Sequence, residues 1–364
     1  AFAYLAPQFL GVLDRGELET PFRAMSLAVL VTSFSIPSAL LQREMRFGGL
    51  YLPPLAGVIV TAVTSVSLAS NCDGLWALVT GKLAGHLVET ALIWRLAPRQ
   101  PMLVWDQDVA VSICRFGLPL VGMTLLVQVY WHIDQVLIDR LFDPKALGFY
   151  FLAYQLAKQA LHVRTGLNQI ALPIFARQNL ERARVSFRRL SWLNAVVYFG
   201  MAAVAVGSGE IIITTLFGPR WSPAALPFRI LMLATTWRGV VGYYEPLMVL
   251  HDGRNVLLRS TFALTVALPA AVTLLALPFG IGGAAAGVFL AAAVTSFIPI
   301  TWAGRHLELS LRGLLRGPLC AFITAGAVGI GLEQVLSRDV FGLSVALLVP
   351  GLVFLATLFA TDRA

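Results

Sequence analysis

Long apolar runs alternate with short polar connections along the whole chain. Most of the runs reach the roughly 20 residues that a helix needs to cross about 30 Å of hydrocarbon. They are rich in Leu, Ala and Val and lack the alternating pattern of barrel strands, so we expect helices that satisfy their own backbone groups in lipid. At that length, the pattern predicts about eleven spans, near residues 24–42, 49–69, 74–96, 112–138, 146–175, 191–217, 228–250, 257–278, 281–304, 314–336 and 341–360.

The composition of the chain agrees with this pattern. Of the 364 residues, 58% are hydrophobic and 13% are charged, and the mean hydropathy is +0.78. Soluble domains carry roughly 25% charged residues. The sequence therefore predicts an all-α polytopic membrane protein.

The formal net charge of +8 raises the question of a nucleic-acid partner. Most of the arginines, however, lie in alternate connections, and the densest basic run is at residues 176–189 (ARQNLERARVSFRR). The positive-inside rule makes the Arg-rich side cytoplasmic and places the C-terminus there. We interpret the basic run as a cytoplasmic loop beside anionic lipid, and we expect no nucleic-acid partner.

An internal repeat is visible in the sequence. Residues 21–28 (PFRAMSLA) recur as residues 227–234 (PFRILMLA), and Gly74 keeps nearly the same register with Gly283. Corresponding spans follow in the same order, which predicts two parallel repeats, one of the known transporter plans. The second copy begins with two spans whose counterparts would precede residue 1, so we expect the chain to be truncated at its N-terminus.

Several short motifs support an assignment to a known family. They are residues 40–47 (LLQREMRF), 115–122 (RFGLPLVG), 133–138 (IDQVLI), 146–154 (ALGFYFLAY) and 216–221 (LFGPRW). In this order and spacing the chain resembles the polysaccharide transporter family. That family includes the Wzx-type lipid-linked oligosaccharide flippases, within the multidrug/oligosaccharidyl-lipid/polysaccharide exporter superfamily.

The resemblance implies a fourteen-helix flippase/MATE-like fold, built from two parallel six-helix repeats plus two extra helices. Residues 1–96 would be the remainder of the first lobe, from the end of helix 3 to helix 6. Residues 97–111 would be a cytoplasmic linker between the lobes, residues 112–304 the second lobe with helices 7 to 12, and residues 305–364 the two additional C-terminal helices.

Polar and charged side chains recur at helical spacing inside two neighbouring spans. Gln128 and His132 share one face of the first span, and Tyr154, Lys158 and His162 share one face of the next. Charged groups inside a span are costly unless they face partners or a wet cavity. With further polar residues of these and other spans, the predicted cavity-lining residues are Gln128, His132, Tyr154, Lys158, His162, Arg164, Arg238 and Tyr243, and the candidates for a coupling-ion site are Asp134 and Glu89.

Other interpretations of these residues stay open at this point. An ion pair such as Asp134 with Lys158 would only hold two helices together. In the span at residues 74–96, a salt bridge between Lys82 and Glu89 is the favoured interpretation. The Gly81 and Gly85 pair in that span is typical of close helix contact.

The resemblance also implies the substrate. A polyprenyl-pyrophosphate-linked oligosaccharide is expected to cross the bacterial inner membrane for surface polysaccharide biosynthesis, by alternating access through a cationic central cavity. The lipid bilayer is the other partner, with a polysaccharide polymerase and glycosyltransferases as further candidates. No cofactor is expected beyond a coupled H⁺ or Na⁺.

Other functions fit the sequence less well. A drug or organic-cation antiporter of the same fold is the alternative, although such a pump favours an acidic cavity and the groups inside the spans here are mainly basic. A non-transporting membrane scaffold would not need so many ionisable residues in its spans. An enzyme is not expected, because the sequence has no phosphate-binding glycine loop, no serine-nucleophile motif and no metal-ligand spacing.

Overall fold

The structure is a computed structural model that describes residues 19–35, 37–43, 47–70, 74–97, 106–162, 175, 180–244, 248, 253–306, 315–336 and 338–361. These residues form α-helices and two short 3-10 helices, and none of them lies in a β-strand. The prediction of an all-helical protein is confirmed for this part of the chain.

The structure describes eleven α-helices and two 3-10 helices among these residues. Their bounds are α1 Glu19–Ser33, α2 Pro37–Arg43, α3 Phe47–Leu68, α4 Gly74–Leu96, α5 Gln107–Leu141, α6 Pro144–Gln159, α7 Leu180–Phe217, α8 Ala225–Val241, α9 Arg254–His306, α10 Arg316–Glu333 and α11 Val340–Thr361, with 3-10 helices at Pro219–Ala224 and Gly242–Tyr244.

Four helices are long and apolar enough to cross a membrane, judged by length and composition over the described residues. They contain the stretches Tyr51–Leu68, Glu181–Phe217, Asn255–His306 and Phe341–Thr361. Many of their large apolar side chains point outwards, such as Phe262 and Phe341, each 73% exposed. The protein is therefore a multi-pass membrane protein, whereas the predicted number of about eleven spans stays a prediction.

The chain divides into two compact units, Ala1–Leu118 and Pro119–Ala364. The division falls inside α5, whose first residue, Gln107, lies in the segment expected to link the lobes. The boundaries of the lobes inferred from the sequence stay a prediction.

In the first unit, α3 and α4 pack at very close range. A Cβ added at Gly85 would lie 2.6 Å from the carbonyl oxygen of Gly57, and one added at Gly81 would meet the Ser65 hydroxyl. These distances confirm the close contact predicted for the two glycines of α4. The prediction of a salt bridge between Lys82 and Glu89 is wrong. Glu89 Oε2 lies 3.5 Å from Nδ1 of His86, one turn away, and the side chain of Lys82 is exposed.

The core of the second unit lies where α7 packs on α8. The buried ring of Tyr198 occupies the space that a side chain at residue 239 would need, so only glycine fits there. Asn194 Nδ2 donates to the carbonyl oxygen of Gly239 at 2.9 Å, and the Tyr198 hydroxyl donates to the carbonyl oxygen of Ala160 at 3.1 Å. These contacts fix α8 and the end of α6 relative to α7.

Two of the long helices are interrupted. Gly280 has φ +61° and ψ −148°, a conformation nearly restricted to glycine, and it divides α9 between the predicted spans 257–278 and 281–304. Ser208 interrupts α7 with φ −134° and ψ 19°. Past this break, the N–H groups of Glu210 and Ile211 donate to Oε1 of Glu333 in α10, at 2.8 and 3.3 Å.

Candidate functional site

The candidate site starts at the hairpin of α5 and α6. Asp143 caps α6 by accepting from the N–H of Ala146 at 2.9 Å, and Pro144 follows as the first helical residue. Because this cap ends the connection after a single short turn, the two helices run antiparallel. The hairpin brings the two buried side chains Asp134 and Tyr150 together, and the Tyr150 hydroxyl donates to Asp134 Oδ2 at 2.7 Å.

Two cationic side chains, Lys158 of α6 and Arg238 of α8, lie near the aromatic ring of Trp131 in α5. The guanidinium carbon of Arg238, from α8, is 4.4 Å from the ring centroid of Trp131. Lys158 Nζ is 5.7 Å from the same centroid and 5.9 Å from that of Tyr154. Tyr154 donates its hydroxyl to the carbonyl oxygen of Trp131 at 3.1 Å, which ties α6 to α5 at this level. Such cation–π contacts stabilise a positive charge by about 0.5–2 kcal/mol.

A cavity of about 240 Å³ opens beside Arg238. Trp131 and Arg238 line this cavity. Four hydroxyl-bearing residues of α9 line it as well, namely Ser260, Thr261, Thr295 and Ser296. Two smaller voids lie next to it: one of about 20 Å³ reaches Lys158, and one of about 10 Å³ reaches Asp134. Trp131, together with Arg238, lines all three cavities, so these two residues are the common element of the site.

The structure brings four of the predicted site residues together, namely Tyr154, Lys158, Arg238 and Asp134. His132 is half-buried on α5 but lines none of the three cavities. Gln128 and His162 are exposed side chains outside them. Glu89 belongs to the other compact unit, where it pairs with His86. Arg164 and the side chain of Tyr243 lie outside the described residues.

Among the described residues, Asp134 and Lys158 do not form the ion pair considered above. The carboxylate of Asp134 accepts from Tyr150 instead, and the ammonium of Lys158 lies over aromatic rings. The second carboxylate oxygen, Oδ1, is buried without a hydrogen-bond partner in this part of the structure. It therefore retains lone pairs for a proton or a cation.

Several cavity residues were not predicted from the sequence. The side chain of Tyr244 lines the cavity of about 240 Å³. The other residues are α9 hydroxyls from both sides of the break at Gly280, and they are Ser260, Thr261, Thr295 and Ser296. Hydroxyl pairs near the ends of two apolar spans were the available signal, but Ser and Thr are common in transmembrane helices because their hydroxyls bond back to the helix.

Metal binding has no support in the described ranges, where no group of three or more His, Cys, Asp or Glu side chains could hold an ion. The chemistry that the described site offers is that of a guanidinium, an ammonium, a buried carboxylate and a set of hydroxyls.

Comparison with known proteins gives two curated relatives. The chain is 24% identical over 234 residues, 63% of its own length and 48% of the relative's, to "Teichuronic acid biosynthesis protein TuaB" of Bacillus subtilis (strain 168). It is 26% identical over 163 residues, 43% of its own length and 42% of the relative's, to "Amylovoran biosynthesis protein AmsL" of Erwinia amylovora. The chain thus spans about half the length of the curated relatives it matches.

A solved structure and a family model complete the comparison. The fold is similar to that of "Lipid II flippase MurJ, inward closed conformation", with a TM-score of 0.79 over 96% of this chain and 74% of that one, at 11% sequence identity. This likeness confirms the fold type predicted from the motifs. Residues 1–226 match the model of the family described as "Polysaccharide biosynthesis protein". The chain therefore belongs to the polysaccharide biosynthesis protein family.

Proposed function

We propose that the full-length protein is a flippase, which moves a polyprenyl-pyrophosphate-linked oligosaccharide across the bacterial inner membrane during surface polysaccharide biosynthesis. Membership of the polysaccharide biosynthesis family supports the pathway, and the MurJ-like fold is compatible with lipid translocation. In this proposal the protein is a transporter and not an enzyme, its C-terminus is cytoplasmic, and a polymerase and glycosyltransferases act on the same substrate.

The observation that carries the proposal is the placement of two cations beside a cavity in the second compact unit. Arg238 and Lys158 both lie at Trp131, in helices with mainly apolar side chains. Charged groups inside apolar spans are rare, and they commonly mark pathways for substrates or ions. The pyrophosphate of a lipid-linked glycan provides several charged oxygens that Arg and Lys bind well.

The barrier to flipping lies in moving the polar headgroup through hydrocarbon. A cavity that holds the headgroup among hydroxyls and cations removes most of this barrier, while the polyprenyl tail remains in the lipid. The exposed apolar residues of the outer helix faces, such as Phe262 and Val66, are compatible with a tail that stays outside. Alternating access of the cavity to the two sides would complete the cycle.

Asp134 is the proposed site for the coupling ion in the second unit. Its Oδ1 is buried without a partner among the described residues, and it borders a void of about 10 Å³. A space of this size holds about one water-sized particle. Proton or Na⁺ binding there would neutralise a charge close to Arg238 and change how strongly the cavity attracts an anion. Glu89, beside His86, is the corresponding candidate in the first unit.

An organic-cation antiporter remains the alternative, since Asp134 would attract a cationic drug. The balance of charge disfavours it, because Arg238 lines the cavity of about 240 Å³, and the described residues that line this cavity include no Asp or Glu. A cell test separates the two functions. The full-length protein is expressed in a cell that lacks its own polysaccharide flippase, with and without Arg238→Ala.

We expect export of surface polysaccharide to return with the wild type and to fall at least 10-fold with Arg238→Ala, as for loss of a hydrogen bond to a charged group. Arg220→Ala is the matched control, because Arg220 lies 5.9 Å from the ring of Trp221 at an exposed position outside the cavity. Resistance to cationic drugs without any polysaccharide export would establish the antiporter instead.

A further inference from the structure

The four hydroxyl groups of α9 that line the cavity beside Arg238 share one hydrogen-bonding state. Ser260 and Thr261 both donate to the carbonyl oxygen of Leu257, at 2.9 Å. Thr295 donates to the carbonyl oxygen of Ala291 at 2.7 Å, and Ser296 donates to that of Ala292 at 2.6 Å. Each hydroxyl has a single proton and two lone pairs. With the protons used inside α9, this wall of the cavity can only accept hydrogen bonds.

Tyr244 adds a hydroxyl in a different state. Its side chain lines the cavity and is 1% exposed, and its hydroxyl has no hydrogen-bond partner among the described residues. A buried hydroxyl without a partner costs about 1–3 kcal/mol, and buried polar groups in folded proteins are nearly always hydrogen-bonded. Tyr244 can both donate and accept, so a ligand with hydroxyl groups would satisfy it.

Charge and size limit the ligand further. Arg238 places a permanent positive charge at the cavity, which favours a ligand with anionic oxygens and opposes an ammonium group. The volume of about 240 Å³ is below the roughly 300–1,000 Å³ of pockets for drug-sized molecules. The space therefore suits one sugar residue and not a whole oligosaccharide.

We propose that this cavity is a subsite for a single sugar residue of the substrate, together with anionic oxygens on or next to that residue. The sugar hydroxyls donate to Ser260, Thr261, Thr295 and Ser296 and pair with Tyr244, while anionic oxygens on or next to that residue pair with Arg238. These oxygens belong either to a carboxylate of the sugar or to the pyrophosphate that links it to the lipid. The inference rests on the flippase function proposed above and adds the part of the substrate that the cavity recognises.

Binding to the full-length protein in lipid nanodiscs tests the subsite with three probes. They are a polyprenyl pyrophosphate without sugar, the same carrier with one glucose, and the same carrier with one glucuronate. We expect the wild type to bind both sugar-bearing probes more tightly than the bare carrier. Thr295→Val and Tyr244→Phe each remove one hydrogen bond, so each is expected to reduce this gain by roughly 2- to 10-fold.

Matched variants separate recognition from stability. Thr301→Val removes a comparable bond to the carbonyl oxygen of Phe297, but Thr301 is exposed and lies outside the cavity, so the gain from the sugar should be unchanged. Thr295→Ser retains the hydroxyl and should bind like the wild type. Tighter binding of glucuronate than of glucose, lost in Arg238→Gln, assigns the anion to a carboxylate. If the wild type binds the glucose and glucuronate probes equally, and Arg238→Gln lowers the affinity for both, the anion is assigned to the pyrophosphate.

Two results would overturn the subsite. In the first, Thr295→Val and Tyr244→Phe leave the gain in affinity from the sugar unchanged, as Thr301→Val does. In the second, they weaken binding of the bare carrier as much as binding of the sugar-bearing probes. In both cases the wild type still binds lipid-linked sugars, so the flippase function survives. If the wild type binds none of the three probes, the flippase function fails and the subsite fails with it.

Discussion

The hydroxyl of Tyr150 donates to Oδ2 of Asp134 at 2.7 Å across the α5–α6 hairpin, and both side chains are buried. This bond satisfies one carboxylate oxygen and holds it in place, while Oδ1 has no partner in the described part of the chain. The arrangement leaves one oriented acceptor beside the cavity residues Trp131 and Arg238. A fixed carboxylate with a free oxygen is suited to bind and release a small cation.

The first prediction follows from this geometry. Asp134→Asn preserves the shape of the side chain and an oxygen that accepts from Tyr150, but it removes the charge. We expect the free energy of unfolding to change by about 1 kcal/mol or less, in the range of a single hydrogen bond. Translocation in proteoliposomes should no longer respond to an imposed H⁺ or Na⁺ gradient.

The control for this experiment is Asp143→Asn, because Asp143 is an exposed cap of α6 and Asn caps helices about as well. Running H⁺ and Na⁺ gradients separately identifies the ion. Gradient-driven translocation by Asp134→Asn at the wild-type rate would exclude Asp134 as the coupling site.

A second prediction concerns the interrupted helix α7. Glu333 of α10 accepts from the N–H groups that the break at Ser208 frees, and it also pairs with Arg229 of α8. Its side chain is mostly buried, at 12% exposure. Glu333→Ala leaves these donors unsatisfied, so we expect the protein to lose roughly 1–3 kcal/mol for each group left unsatisfied.

Arg338→Ala provides the comparison. Arg338 pairs with Glu210 at 2.5 Å near the same break, but its side chain is 55% exposed, and exposed ion pairs contribute about 0–1 kcal/mol. Thermal unfolding in detergent should therefore show a much lower Tm for Glu333→Ala than for Arg338→Ala. Equal effects of the two substitutions would show that Glu333 does not stabilise the break.

The third prediction tests the core contact between α7 and α8. A methyl group at Gly239 would overlap the buried ring of Tyr198. Overpacking of this kind costs about 1–3 kcal/mol, and here it also displaces the end of α8 that carries Arg238. Gly239→Ala should reduce both Tm and translocation.

Gly331→Ala is its matched control in α10. No atom lies within 4 Å of a Cβ added at Gly331, and the residue is exposed. Alanine favours a helix by roughly 1 kcal/mol over glycine, so this variant should be as stable as the wild type or slightly more so. A stable, fully active Gly239→Ala protein would contradict the packing described here.

The sequence predicted the broad features because they depend on local patterns. Runs of apolar residues gave the helices, and Gly280 indeed separates two of the predicted spans. Charged residues inside spans are rare enough to mark a site, which is why Lys158 and Arg238 were candidates and now lie at one ring. The sequence motifs led to the family that the comparison confirms.

Features that depend on long-range packing could not be predicted. Glu333 and Arg229 are far apart in the chain, and no sequence pattern links them. His86 and not Lys82 contacts Glu89, because residues three apart are neighbours on a helix whereas Lys82 lies seven residues away, so this one contact could have been predicted from spacing. The α9 hydroxyls carry little signal in the sequence, since their importance comes from the cavity they line.

The flippase function is tested most directly by translocation of a fluorescent polyprenyl-pyrophosphate-linked glycan by the purified full-length protein in proteoliposomes. We expect the wild type to move this probe between leaflets, Arg238→Ala and Lys158→Ala each to slow its movement at least 10-fold, and Arg220→Ala to leave the rate unchanged. Translocation at the wild-type rate by the double variant Lys158→Ala/Arg238→Ala would contradict the claim that these cations carry the headgroup across the membrane.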